Sequence, residues 1–379
     1  MRFGDITGHG EELRKLAAMA DGGRLPHALL LHGPSGVGKM MAARAFVQYL
    51  YCTDRRGGDS CGRCPNCLQT AKLNNPDVHF VYPIVKGKTP PRNLSADLAD
   101  EWKEFLERYP YMSPEAWLDI IDAGNSRPMI HVTESEELLR LSTLSAYGDS
   151  YKVFVIWLPE KMNADAANRL LKVIEEPFSD TLFVLVSNNA GEILPTVRSR
   201  LQNVEFKPLP DEDIVAYFCR GGVPYEEALS LARIAGGNMN RASALIAEDG
   251  GETASFTDAF MGVMRAAYAR KMVELKAFAD TFAGWGREKS LRLLDYFARM
   301  VRESFISNLH CPALEAMTPK EKQFVERFGP YINAANVEEL SEQIDRARED
   351  ISRNANQKIV WFDFLIELTR LIRTKGMKK

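Results

Sequence analysis

Residues 33–40 read Gly-Pro-Ser-Gly-Val-Gly-Lys-Met, which matches a phosphate-binding loop at every position except the last. The loop follows an apolar run at 28–31 and opens a helix predicted over 40–50, so a buried strand, a glycine turn and a helix must succeed one another directly. A glycine-rich turn without a phosphate role is the alternative, but the order of elements favours the loop. The candidate nucleotide-binding residues of the loop are Gly33, Gly36, Gly38 and Lys39.

The last position of the loop holds Met40, where a serine or threonine normally gives an oxygen to Mg²⁺. A thioether is a poor ligand for this hard ion. The strand predicted over 153–157 then ends in Trp157 and Leu158, where metal-binding acids would be expected. We therefore predict that no Mg²⁺ site forms and that the isolated chain does not hydrolyse nucleotide. Whether ATP or ADP binds stays open.

Four of the six cysteines lie between residues 52 and 67 with the spacing C-x8-C-x2-C-x2-C. In a reducing compartment this crowding indicates a metal site, and four thiolates suit a tetrahedral zinc ion. A ferredoxin-type iron–sulfur cluster would need a cysteine at position 71, which is alanine. Because four thiolates leave no open coordination position, the zinc would be structural. The predicted ligands are Cys52, Cys61, Cys64 and Cys67.

The strand signals are concentrated in the first part of the chain. Near-continuous apolar runs at 153–157 and 181–186 flank a helix predicted over 163–176, and this order indicates a parallel sheet. We therefore predict an α/β domain of residues 1–207, which contains the cysteine module and a helical insertion at 84–129.

Beyond residue 207 only helical periodicity remains, and 379 residues suffice for two or three domains. We predict a small helical domain at 208–250 and an all-helical domain at 251–379. In the latter, Thr318 and Asn336 each stand three residues before a glutamate and are predicted helix N-caps. The last helix, predicted over 359–372, is apolar around much of its circumference, which fits a central core helix or a subunit interface equally.

The charge is nearly balanced, with 48 basic and 51 acidic residues and a net charge of −3. The chain therefore lacks a global positive field for nucleic acid, and any contact with DNA must be local or shared. No apolar run is long enough to cross a bilayer, and residues 1–10 lack the pattern of a signal peptide. We expect a soluble, cytoplasmic protein without a membrane partner.

Arg198 and Arg200 follow the strand predicted at 181–186 and its turn. One interpretation is a surface ion pair with an acid such as Glu192 or Glu205. The other is an arginine finger that enters the nucleotide site of a neighbouring subunit. Spacing alone does not decide between the two.

Several motifs in residues 1 to about 250 together resemble the delta-prime family of bacterial DNA polymerase III clamp-loader subunits, which belongs to the AAA+ class. The matching segments are 27–31 before the loop, the four-cysteine module, 75–78, 152–156, 167–177 and Ser199-Arg200. The resemblance implies an AAA+ sheet domain, a helical lid and a collar that joins subunits into a ring. It also implies gamma/tau motor subunits and a delta subunit as partners, in a complex that loads the sliding clamp on primed DNA.

The resemblance further implies roles for two arginines: Arg200 would be the finger acting in trans, and Arg241 would be the nucleotide-binding arginine of the lid, in a degenerate site. Two features depart from the family pattern, namely Leu201 in place of a cysteine and the insertion at 84–129. Missing catalytic acids fit the rigid stator subunit of such a complex. Two alternatives stay open: an active ATPase that uses a ligand such as Glu160, and a zinc-ribbon DNA-binding module on a degenerate ATPase body.

Overall fold

The computed structural model describes residues 1–23, 25–86, 93–123, 126–147, 151–178, 180–247, 251–310 and 314–373. The chain forms two compact units, Met1–Ser243 and Ala244–Lys379. The first unit contains the sheet together with most of the segment 208–250. The separation of that segment as a lid domain therefore stays a prediction.

The first unit is built on a parallel sheet whose strands follow the apolar runs of the sequence. In the described residues the strands are β1 (Ala28–His32), β2 (Val78–Val81), β3 (Lys152–Trp157), β4 (Thr181–Ser187) and β5 (Gln202–Glu205). Their order is β2-β3-β4-β1-β5, and all neighbours are parallel. Every residue of β3 and β4 is buried, as expected for strands covered on both faces. The predicted α/β parallel-sheet fold is confirmed.

Helices cover both faces of this sheet. The first eight are α1 (Gly10–Asp21), α2 (Lys39–Tyr51), α3 (Pro65–Ala71), α4 (Ala99–Arg108), α5 (Pro114–Ile120), α6 (Val132–Ser142), α7 (Ala164–Glu175) and α8 (Pro195–Arg198). They are followed by α9 (Asp211–Arg220), α10 (Tyr225–Ala235) and α11 (Met239–Ala247). Helix α7 begins where the Asn163 side chain accepts the Ala166 N–H at 2.8 Å, which satisfies one donor of its first turn.

The predicted helical insertion contributes α4 and α5, which lie on one face of the sheet. Alternate residues of β3 point to opposite faces, as in any strand. Val155 and Trp157 belong to the core shared with α2 and the insertion, whereas Phe154 and Ile156 belong to the core under α6 and α7. The insertion therefore covers the same sheet face as the helix that follows the phosphate loop.

The second unit is helical in its described residues. Its helices are α12 (Gly251–Tyr268), α13 (Met272–Gly284), α14 (Arg287–Asn308), α15 (Pro319–Phe328), α16 (Val337–Ser352) and α17 (Gln357–Leu371). Helix α17 buries Trp361, Phe364 and Leu365 and leaves Ile359 and Ile366 exposed. Most of its apolar surface is thus used inside the unit. None of the helices in the described residues is both long and apolar enough to span a membrane.

Of the two predicted caps in this unit, one is confirmed and one is wrong. Thr318 Oγ1 accepts the Glu321 N–H at 3.3 Å, and the Glu321 carboxylate accepts the Thr318 N–H at 2.8 Å, which is a capping box. Asn336 does not cap α16 with its side chain. Its buried amide instead donates to the carbonyl oxygens of Tyr331 and Leu371 at 2.8 and 3.0 Å.

Candidate functional site

The phosphate loop lies at the carboxyl end of β1 and packs closely against other segments of the same chain. Gly33, Gly36 and Gly38 have φ angles of 143°, 77° and 93°, which favour glycine. A Cβ atom on Gly33 would lie 1.9 Å from the carbonyl oxygen of Phe206, and one on Gly36 would lie 1.9 Å from Oδ1 of Asn238. The glycines of the motif are therefore also required by packing.

Lys39 is turned back onto its own loop. Its Nζ donates to the carbonyl oxygens of Gly33 and Pro34 at 2.7 and 2.5 Å and to Oδ1 of Asn188 at 2.9 Å. Only 5% of the residue is exposed. This burial lowers the pKa of Lys39 to about 7, although the charge of Glu160 works against the shift. The amino group that would reach a phosphate is thus engaged by other oxygens.

The carboxyl end of β3 carries no pair of carboxylates. Trp157 and Leu158 are buried in the core. Glu160 lies in the following turn, where one carboxylate oxygen accepts the backbone N–H of Asn188 at 2.9 Å. Its other oxygen is buried without a hydrogen-bond partner among the described residues. Met40 is buried too, so all three residues that the sequence identified as unsuited to Mg²⁺ have their side chains in the core.

Trp157 packs into an aromatic cluster supplied by the inserted helices. Its ring centroid lies 5.4 Å from those of Trp102 and Phe105 and 6.5 Å from that of Trp117. The Trp117 indole N–H donates to the Pro83 carbonyl at 2.8 Å, which fixes the orientation of that ring. The end of β3 where acids would be expected is therefore part of a hydrophobic core.

Sequence reasoning missed Asn188 and the contact between the insertion and the loop. Asn188 directly follows β4, and a polar residue at the carboxyl end of the strand beside the loop strand is the signal that indicates it. No comparable signal marks Tyr111, whose ring lies 3.4 Å from the position of a Cβ atom on Gly38. That contact depends on how the insertion docks, which the local pattern does not specify.

Arg200 lies just after α8 and has 40% of its side chain exposed. Its guanidinium is 2.5 Å from the carboxylate of Glu175 and donates to the carbonyl oxygen of Thr196 at 2.8 Å. The ion-pair partner is thus Glu175, and not Glu192 or Glu205 as the sequence suggested. An exposed pair contributes little stability, so a stronger anionic partner can displace it.

Arg198 and Arg241 occupy different places. Arg198 ends α8 with an exposed side chain. Arg241 is exposed in the first turn of α11, and its backbone N–H donates to Oδ1 of Asn238 at 3.2 Å. Asn238 also lies against Gly36, so Arg241 is connected to the phosphate loop through Asn238.

The four cysteines converge as their spacing predicts. Their Sγ atoms lie within 4.8 Å of one another, and a tetrahedral site with Zn–S bonds of about 2.3 Å needs separations of about 3.8 Å. Burial raises the pKa of Cys67. It also opposes ionisation of Cys64, but hydrogen bonds from the Thr53 and Cys67 backbones lower the pKa of Cys64 to about 6. This donor set fits zinc. The residues that would hold the ion are Cys52, Cys61, Cys64 and Cys67.

The arginines around the cysteine cluster have acidic partners within the chain. Arg55 lies 3.2 Å from Asp21, and Arg56 and Arg63 lie 2.9 and 3.5 Å from Asp54. These pairs neutralise much of the local positive charge. The geometry around the cluster therefore gives no added support to a zinc-ribbon DNA contact.

Strand order and loop position define the class of protein. The phosphate loop joins β1 to α2, β1 lies between β4 and β5, and β3 lies beyond β4, which is the arrangement of an AAA+ P-loop domain. The family profile described as "DNA polymerase III, delta subunit" matches residues 8–210, more than half of the chain. The chain belongs to this family.

Individual relatives agree with that assignment. The delta' subunit of DNA polymerase III of Bacillus subtilis is 28% identical over 50% of this chain and 45% of its own length. The delta' subunit of Escherichia coli is 27% identical over 63% of this chain and 60% of its own length. The gamma/tau subunit of Mycobacterium tuberculosis H37Rv is 26% identical over 63% of this chain and 35% of its own length. The matches thus span about a third to three fifths of these relatives.

Proposed function

We propose that this chain is a non-hydrolysing, stator-type subunit of a DNA polymerase III clamp loader. It joins gamma/tau motor subunits and a delta subunit in a ring that places the sliding clamp on primed DNA. Family membership supports the complex, since the relatives are named as delta' and gamma/tau subunits of DNA polymerase III. The residues of the loop support the stator role.

The observation that carries the stator role is the state of the nucleotide site itself. Lys39 donates to its own loop carbonyls and to Asn188. Trp157 and Leu158 stand buried where metal-binding acids would be needed. Phosphoryl transfer needs a metal ion and a lysine that stabilise the charge of the phosphates. This site has no pair of carboxylates for Mg²⁺, and its lysine is hydrogen-bonded to protein oxygens.

In this proposal the chain acts on a neighbouring subunit through Arg200. The guanidinium is exposed, and its pair with Glu175 is a weak surface pair that a triphosphate can displace. The segment 208–250 serves as the lid and 251–379 as the collar that joins the ring. Zinc at the four cysteines supplies structural cross-linking, with no part in the reaction.

The decisive experiment reconstitutes the complex with its motor subunits and compares Arg200→Ala with the parent. We expect assembly to be kept and stimulation of ATP hydrolysis to be lost, because an arginine finger contributes roughly 10³ to 10⁵ in rate at its site. Arg140→Ala is the matched control, since Arg140 is an exposed arginine whose partner, Glu137, lies in the same chain. Stimulation equal to the parent would remove the role from Arg200 and make Arg198 the next candidate.

One observation favours a second function, an active ATPase that uses Glu160. The carboxylate has one buried oxygen without a partner among the described residues, which is an available metal ligand. Steady-state hydrolysis of ATP by the purified chain separates the two functions. Turnover that disappears in Lys39→Ala would establish the ATPase and refute the stator role. A separate measurement addresses the zinc-ribbon alternative, which salt-sensitive binding of DNA by the chain alone would favour.

A further inference from the structure

We infer that part of the insertion is an internal strap that closes the cleft over the phosphate loop. The strap is residues 93–123, and it links the loop to the first turn of α11. The inference concerns the cleft alone and does not depend on whether Arg200 acts in trans.

The first contact is between Tyr111 and the loop. Tyr111 is 7% exposed, and its ring lies 3.4 Å from where a Cβ atom on Gly38 would stand. The same ring meets Tyr217 of α9 edge-on, with centroids 6.2 Å apart and an interplanar angle of 89°. The ring therefore fills space between the start of α2 and α9. The ring thus lies beside the last glycine of the loop, next to the lysine whose amino group would reach a phosphate.

The second contact joins the strap to α11. The side-chain amide of Asn240 donates to the carbonyl oxygens of Tyr111 and Met112 at 3.3 and 3.1 Å. Met112 has a φ of 49°, in the left-handed region that non-glycine residues rarely adopt. The turn between α4 and α5 is thus held in a strained conformation in which one amide meets two successive carbonyls.

The third contact joins α11 to the loop and completes the connection. The backbone N–H of Met239 donates to the Gly36 carbonyl at 2.9 Å. Oδ1 of Asn238 lies 1.9 Å from where a Cβ atom on Gly36 would stand, so the two segments touch directly. Loop, strap and the first turn of α11 therefore contact one another pairwise, all within the first compact unit.

The strap is anchored too firmly to act as a mobile lid. Its Trp102, Phe105 and Trp117 pack on Trp157 at the end of β3. Swinging the strap away would expose these aromatic rings, each of which buries roughly 150–250 Å². This packing favours a strap that stays against the loop, and the contacts of Asn240 and Met239 hold the first turn of α11 beside it.

The test combines nucleotide binding with hydrogen exchange on the full chain. The parent should show no saturable binding of a fluorescent ATP analogue, the N-methylanthraniloyl derivative. In Asn240→Asp the side chain keeps its size but presents oxygen to two carbonyls. We expect exchange at the amides of Met239 and Arg241 to rise roughly tenfold or more, because two hydrogen bonds are replaced by repulsion.

Tyr111→Ala should accelerate exchange in the same turn and in the loop, and Tyr111→Phe should behave as the parent because the ring is kept. Asn203→Ala, at an exposed position of β5, controls for a neutral asparagine substitution. Thermal melting separates a local release from general unfolding. Saturable binding of the analogue by the parent would overturn the strap, and so would exchange in Asn240→Asp equal to Asn203→Ala. Neither result would affect the Arg200 experiment.

Discussion

At the scale of single residues, the chain has the backbone form of a nucleotide-binding loop, but Lys39 of the loop donates its hydrogen bonds to protein oxygens. The glycines and Lys39 were predictable because their spacing has one structural meaning. The engagement of Lys39 was not, because its acceptor Asn188 lies 149 residues further along the chain. Arg200 was predictable as an exposed arginine beyond β4, whereas its partner Glu175 depends on how α7 and α8 meet.

Replacing Lys39 by methionine should remove one pH-dependent contribution to stability. The pKa of Lys39 falls from 10.5 to about 7 on folding. Between these values the unfolded chain binds more protons, so the free energy of unfolding rises with pH across that window. Relative to Lys39→Met, the parent should gain on the order of a few kcal/mol from about pH 7 to about pH 10.

Urea denaturation of both proteins at several pH values in that window measures the difference. Lys276→Met removes an exposed lysine of the second unit and should follow the parent. A parent and a Lys39→Met variant whose stabilities change in parallel would mean that Lys39 titrates as it does in water.

At the scale of elements, strands and helices were largely predictable and their contacts were not. Apolar runs fix β3 and β4 because a parallel sheet buries both faces of its strands. Asn336 shows where prediction from local sequence fails. It stands three residues before a glutamate, as Thr318 does, but only the Thr318 side chain caps its helix. A buried amide that joins two chain segments has no local signature.

The two residues predicted as caps should therefore respond differently to alanine. Thr318→Ala should cost about 1 kcal/mol, the usual value of a lost cap. Asn336→Ala should cost more, about 2 to 4 kcal/mol, because the Tyr331 and Leu371 carbonyls lose their buried donor. Chemical denaturation of both variants gives the order directly. A smaller loss in Asn336→Ala than in Thr318→Ala would show that water replaces the amide without cost.

The aromatic cluster around Trp157 should behave as a structural core. Trp157→Ala should destabilise the first unit by about 3 to 5 kcal/mol, since it leaves a cavity among Trp102, Phe105 and Trp117. Tyr147→Ala is the control, because that ring is 89% exposed and should cost under about 0.5 kcal/mol. Similar denaturation midpoints for the two variants would argue against a packed cluster at the end of β3.

At the scale of the whole molecule, the four-cysteine module ties distant parts of the first unit together. Cys52 directly follows α2, the helix that starts at the phosphate loop. The Asp59 carboxylate accepts the backbone N–H groups of Phe3 and Gly4, both at 2.9 Å. The cysteine spacing predicted the convergence of the four thiols. These long-range hydrogen bonds could not be predicted from it, because they depend on where the N-terminal segment crosses the module.

Loss of zinc should consequently weaken the first unit and leave the second unchanged, since each unit has a hydrophobic core of its own. A loss of about 2 to 3 kcal/mol, at the upper end of the usual range for a destabilising change, would lower the Tm of the first unit by about 4 to 12 °C. Cys64→Ser should produce this shift without a chelator, and hydrogen exchange should accelerate in α2 and around Phe3. Cys219→Ser, at an exposed position of α9, is the matched control and should melt as the parent. Four thiolates that share one ion cannot lose a ligand without a loss of stability. If Cys64→Ser, Cys219→Ser and the chelator-treated parent all had the same Tm, the module would therefore fold on its hydrogen bonds alone.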